Sequence, residues 1–172
     1  MKIKHLPVAW VAVGLLFTAC GKKENPPPTR LESAPAVSEK TPAMEELHWL
    51  TDFEAAKAQA RSEDKMLLML FTGSDWCPPC KMLDEAVFSK PEFVQYAADH
   101  LVSLEVDFPR RKPISLERRA ANGQLAGAYG VEGFPTVIVL DPGSKPLGKF
   151  GYVPGLEAKK VIEVLEKART GK

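Results

Sequence analysis

The sequence predicts an α/β fold, a central mixed β-sheet flanked by helices, with a signal peptide and a disordered linker ahead of it. Three observations lead there. Residues 65–71 form a short, continuously apolar run bounded by polar residues, as in a strand buried on both faces of a sheet. Stretches of helical periodicity alternate with such runs. The last third reads as strand, turn, strand, helix, the turn bringing in the antiparallel half of the sheet. At 172 residues with 45% hydrophobic residues the chain supports one domain plus extensions, and no internal repeat is visible.

Taken in order, Thr51 or Asp52 can cap a helix of strong formers running to Arg61. Trp49 and Phe53, four residues apart, are expected to pack on the sheet. After the strand at 65–71, residues 80–88 place apolar side chains at Met82, Leu83, Ala86 and Val87, the spacing of an amphipathic helix. Pro91 then kinks or breaks the pattern before residues 92–98 resume it. Residues 101–108 alternate well enough for a second strand. Arg110-Arg111-Lys112-Pro113 is a basic loop that reads as a solvated turn, the alternative being a docking patch. Ser115 can cap a helix through Leu116, Leu125 and Tyr129, with Asn122-Gly123 a weak spot inside it. Residues 135–140 make a third strand, 141–146 carry turn chemistry, 148–152 return, and 156–168 close as a helix with Val161, Ile162, Leu165 and Ala168 on one face.

The chemistry concentrates at Cys77-Pro78-Pro79-Cys80, at the turn from the first strand into its helix. There the free N–H groups and the positive end of the helix dipole favour a thiolate over a thiol, making Cys77 the expected nucleophile. Cys80, one turn on, is placed to resolve a mixed disulfide formed at Cys77. The two prolines pre-set helical dihedrals and remove two donors, so their effect on redox potential has no clear sign.

Trp76-Cys77-Pro78-Pro79-Cys80-Lys81 resembles the active site of the thioredoxin family. Gly130-Val131-Glu132-Gly133-Phe134-Pro135-Thr136 is similar to the segment that carries that family's cis-proline. The longer wording at 71–77, 87–93 and 106–109 resembles bacterial secreted thioredoxin-like proteins related to the C-terminal domain of the transmembrane thiol:disulfide interchange reductase. The likeness covers roughly residues 46–172, an ordinary domain size. It implies the thioredoxin fold and a substrate platform of Phe134, Pro135 and Thr136 beside the dithiol, with Trp76 as a partly exposed lid, the alternative for Trp76 being plain core. One departure stands out. The family's buried Asp ahead of the dithiol falls on Phe71, or on Leu70 if the loop is one residue longer, and neither takes a proton. Asp75, Glu105 and Asp107 are the candidate replacements.

The three cysteines divide two to one. Residues 1–19 combine Lys2, Lys4 and His5 with an apolar stretch and then small residues, which predicts a signal peptide too short to span a membrane. Phe17-Thr18-Ala19-Cys20 resembles a bacterial lipobox, with Phe17 where Leu is usual, so Cys20 is the expected lipidation site. Gly21 after it resembles lipoproteins sent to the outer membrane rather than the inner. Residues 20–45, rich in proline and poor in large apolar groups, read as a flexible tether.

A half zinc site is disfavoured because no second Cys pair exists, and haem attachment is closed by Lys81 where a His is needed. A permanent structural bridge usually closes a longer loop than Cys77–Cys80. Formal net charge of +1 offers no field for nucleic acid. The expectation is therefore a monomeric, lipid-anchored, periplasm-facing thiol:disulfide oxidoreductase. It needs no metal or other cofactor, acts on thiols and disulfides of exported proteins and draws electrons from an inner-membrane donor. Net oxidation or isomerisation, or a binding module without turnover, are the alternatives.

Overall fold

The computed structural model describes residues 46–171. The expected signal peptide at 1–19, the lipidation site Cys20 and the tether at 20–45 lie outside the described residues.

Five strands form one sheet in the order β1-β3-β2-β4-β5: β1 Trp49–Leu50, β2 Met66–Thr72, β3 Leu101–Asp107, β4 Thr136–Leu140 and β5 Pro146–Phe150. β2 lies at the centre, parallel to β3 and antiparallel to β4, and every one of its residues is buried. The sheet is mixed because β4 runs antiparallel to both its neighbours, β2 and β5, while a helical crossover carries the chain from β2 to a parallel β3. This is the thioredoxin fold.

Two cores sandwich the sheet. One face packs Leu68, Leu70, Val137 and Val139 against α2 (Pro78–Leu83), α3 (Pro91–His100) and α5 (Ala158–Thr170). The other packs Leu67, Met69, Phe71, Val102, Leu104 and Ile138 against α1 (Phe53–Glu63) and α4 (Leu116–Ala128). Each fully buried side chain of this size contributes roughly 1.5–3 kcal/mol.

Several local readings change. Trp49 belongs to a two-residue edge strand that the sequence reading missed, so Trp49 and Phe53 pack on the sheet from opposite faces: Trp49 against Phe88, Phe53 against Tyr129. Asp52 rather than Thr51 caps α1, accepting from the Ala55 amide at 2.7 Å. α2 runs on into a π-helical turn, Asp84–Phe88, which buries Val87 and Phe88. Pro91 breaks the chain rather than kinking it, because it opens a new helix at a position where a missing N–H costs nothing. Ser115 caps α4 as expected, yet Leu116 is 83% exposed, and Asn122 is no weak spot: it is buried and donates to the Asp107 carbonyl at 2.8 Å.

Candidate active site

β2 and β3 end together, the Phe108 amide donating to the Thr72 carbonyl at 2.9 Å. The chain then turns sharply, with the Gly73 carbonyl accepting from the Trp76 amide at 3.1 Å and the Cys77 amide at 2.9 Å. Glycine is required there, since a Cβ at position 73 would stand 2.5 Å from the Trp76 ring. Cys77 is the N-cap of α2 in extended backbone, and its Sγ accepts from the Cys80 amide at 3.3 Å. Pro78 and Pro79 fill the first helical turn. Cys77 and Cys80 are joined as a disulfide and both are buried.

A second loop, residues 108–113, is fastened to this turn from outside. The Asp75 carboxylate accepts from three consecutive main-chain amides, Arg110 at 3.0 Å, Arg111 at 2.7 Å and Lys112 at 3.0 Å. These bonds, led by Arg110's, hold its pKa down to about 2. Trp76 Nε1 donates to the Phe108 carbonyl at 2.8 Å, and the Arg110 guanidinium lies 3.7 Å over the Trp76 ring. Asp107, the last residue of β3, accepts from the Ser74 amide at 2.9 Å and hydroxyl at 2.6 Å.

The third component arrives from β4. Phe134–Pro135 is a cis peptide, and Thr136 opens β4 in register with Phe71, its hydroxyl donating to the Gly133 carbonyl at 2.8 Å. A Cβ at Gly151 would meet the Pro135 carbonyl at 2.9 Å, so the β5 end closes in on the proline. The Phe134 ring stacks on Phe108 at 5.0 Å and meets Trp76 edge-on at 6.0 Å. The structure thus gathers Trp76, Cys77, Cys80, Phe134, Pro135 and Thr136 at one end of the sheet, with Trp76, Phe134 and Pro135 partly exposed.

Leu70 and Phe71 are both buried and apolar. Glu105 is the register partner of Leu70 on β3, so it shares the sheet face over which α2 packs. Burial, then the charge of Asp107, raises its pKa above the usual carboxylate value. Asp75 and Asp107 are tied to the loops, whereas Glu105 has no hydrogen-bond partner for its carboxylate among the described residues.

A thioredoxin-like family profile matches residues 48–142. The chain belongs to the thioredoxin-like family. It is 34% identical to the disulfide bond reductase DsbH of Chlamydia pneumoniae over 71% of this chain and 73% of that protein. A solved structure of a DsbH oxidoreductase superimposes with a TM-score of 0.68 at 30% identity, covering 81% of this chain and 96% of that one. The thiol:disulfide interchange protein DsbD of Campylobacter jejuni is 26% identical over 67% of this chain, which spans 19% of that longer protein. The reduced C-terminal domain of Neisseria meningitidis DsbD superimposes with a TM-score of 0.51 at 27% identity, covering 67% and 92% of the two chains. The protein is a thiol:disulfide oxidoreductase of this DsbH/DsbD-like type, with its redox disulfide at Cys77 and Cys80.

Sequence reasoning missed the clamp. Asp75, one of three candidate replacements for the family's buried acid, instead accepts from the main-chain amides of 110–112, while the side chains of 110–113 are exposed as a solvated turn requires. The available signal was an acid flanking Trp76 in one loop and consecutive cations in the other. Nothing in the spacing revealed that main-chain amides, rather than the cationic side chains, would take the carboxylate.

Proposed function

We propose that the protein reduces disulfides in exported proteins, with Cys77 as nucleophile and Cys80 as resolving thiol. The observation that carries this reading is the Cys77 Sγ at the N-cap of α2, where the Cys80 amide points at it. In the reduced protein that donor and the helix N-terminus favour a thiolate at Cys77. The thiolate attacks one sulfur of the partner's disulfide, and the other sulfur leaves as a thiolate that takes up a proton. Cys80 then loses its proton and attacks Cys77 Sγ, releasing the partner's second sulfur. Two electrons pass to the partner, and the Cys77–Cys80 disulfide forms. Of Asp75, Glu105 and Asp107, Glu105 is the free carboxylate on the α2 side of the sheet and is our choice to receive the Cys80 proton.

The partly exposed surface of Trp76, Phe134 and Pro135 beside the dithiol suits an extended segment of the partner, with Phe134, Pro135 and Thr136 as its platform. Reduction rather than oxidation is supported by the relative named a disulfide bond reductase. The tripartite residues 1–19, Cys20 and the proline-rich 20–45 support a lipid-anchored, periplasm-facing location, outer membrane before inner, with a separate inner-membrane donor regenerating the dithiol.

Insulin reduction tests the reading: the wild type reduces insulin and Cys77→Ser falls to the uncatalysed rate. Equal rates would leave a binding role alone. A potential near about −270 mV supports reduction and one near about −120 mV supports net oxidation. Cys80→Ser traps partners on Cys77 as stable mixed disulfides, which identifies them.

A further inference from the structure

The feature of the site that the dithiol chemistry does not use is the cationic loop fastened beside it. Asp75 spends its carboxylate on the main-chain amides of Arg110, Arg111 and Lys112, not on their side chains. The loop's shape is therefore held by an acid that leaves its cationic heads unpaired. Among the described residues the ion pairs are Lys57–Glu54, Lys65–Glu63 and Arg169–Glu166, and none involves this loop. All three cationic residues are exposed.

Their placement is specific. The Arg110 guanidinium lies 3.7 Å over the ring of Trp76, the residue directly before Cys77. Stacking on an aromatic face orients a guanidinium without neutralising it. Phe108, at the root of the loop, stacks on Phe134 directly before the cis-proline. The loop thus touches both the residue before the reacting Cys77 and the residue before the cis-proline. The acids around it are accounted for: Asp75 and Asp107 are bonded to loop amides and Ser74, and Glu105, within electrostatic reach of Lys112, lies partly buried on the sheet. Glu132 on the cis-proline loop and Asp84 and Glu85 on the turn after α2 are exposed, and Lys81, also exposed, follows Cys80.

We infer that the loop at 108–112 is a charge-selective substrate arm that favours partner disulfides flanked by acidic residues, Arg110 and Arg111 being its specificity determinants. This rests on the oxidoreductase reading and adds the class of partner. The covalent step is unchanged: two electrons move from the Cys77–Cys80 dithiol to the partner disulfide, and the arm acts on encounter and orientation. An anionic flank is drawn to the rim by the exposed cations and is set against Arg110 as its sulfur reaches Cys77. A carboxylate pairs bidentately with a guanidinium, which gives the contact direction as well as attraction.

The test is single-turnover oxidation of the full chain, reduced with dithiothreitol and then freed of it. Three disulfide peptides differ only in a flank of three Glu, three Ser or three Lys beside one cysteine. Acid-quenched samples are read by mass spectrometry. At low ionic strength the Glu peptide is expected to react about tenfold faster than the Ser peptide, and the Lys peptide more slowly than either. The advantage shrinks in salt, because the screening length falls to roughly 3 Å at 1 M.

Arg110→Gln/Arg111→Gln brings the Glu-to-Ser rate ratio close to one. That ratio separates charge selection from any general loss of rate caused by moving Trp76. Arg111→Gln alone, which leaves the Trp76 stack intact, lowers the ratio part-way. Lys159→Gln/Lys160→Gln on α5, the same loss of net charge, keeps the ratio. Equal rates for the three peptides, or an acidic preference that survives the double substitution, overturns the arm while the oxidoreductase reading stands. No reaction with any peptide overturns both.

Discussion

Strand β3 shows one kind of surface to α1 and α4 and another to the dithiol helix. Toward α1 and α4 it turns Val102, Leu104 and Val106, all apolar and buried. Toward the dithiol face the alternate residues run Leu101, Ser103, Glu105, Asp107, and polarity rises step by step toward the end where Cys77 sits. One backbone thus serves two purposes, because successive side chains leave a strand on opposite sides. The apolar side supplies cohesion. The polar side gives up some of it to place a carboxylate near the dithiol helix and to tie down the loop before the dithiol.

Substitutions on the two sides therefore separate stability from activity. The largest effect belongs to the apolar side: Leu104→Ala removes a buried side chain and should cost about 2–5 kcal/mol in urea unfolding. Its rate of insulin reduction per folded molecule should stay unchanged. A parallel loss of activity would show that the two faces are not independent.

Ser103 sharpens the contrast. Its hydroxyl is buried without a hydrogen-bond partner, between the register positions of Trp49 and Leu68. Ser103→Ala should therefore stabilise the fold by about 1 kcal/mol or slightly more, read as a shift in urea midpoint. Destabilisation would mean that the hydroxyl has a use the apolar side lacks.

Glu105 adds a pH signature. Its folded pKa is raised, so its favourable contribution is complete below the unfolded value near 4.5 and is lost as pH rises through the folded pKa. Glu105→Gln should thus match the wild type at pH 4 and exceed it in melting temperature at neutral pH, while slowing release of a trapped partner by Cys80. A gain in stability with unchanged release would remove Glu105 from the proton path.

Asp75 should show the smallest effect and the opposite sign. Its folded pKa of about 2 lies below the ordinary aspartate value of 3.8, so the clamp's contribution is complete above pH 4 and fades as pH falls toward 2. The melting-temperature difference between wild type and Asp75→Asn should follow that course. A difference constant with pH would mean that the carboxylate's charge plays no part in holding residues 110–112.

How far each feature was legible in the sequence depends on the range of the interaction behind it. The order of strands and helices around the dithiol, Ser115 as a cap and the cysteine pair at a helix start could be read because periodicity, capping and breakers act within a few residues. β1 was missed because two residues carry no period, and only pairing with Ser103 and Leu104 makes them a strand. The π turn was missed for a related reason: an amphipathic pattern does not say how tightly the helix is wound.

By itself the sequence determined that two thiols stand at a strand-to-helix turn in an α/β domain of the thioredoxin type. Tertiary structure alone decided what surrounds them: that Asp75 holds the backbone of 110–112, that Arg110 lies on Trp76, that Phe108 joins Trp76 to the cis-proline, and that Glu105 stands opposite Leu70. The physical reason is separation along the chain. These contacts join residues some thirty positions apart, such as Asp75 with Arg111 at a separation of 36, and they exist only once β2 and β3 lie side by side and end at the same height.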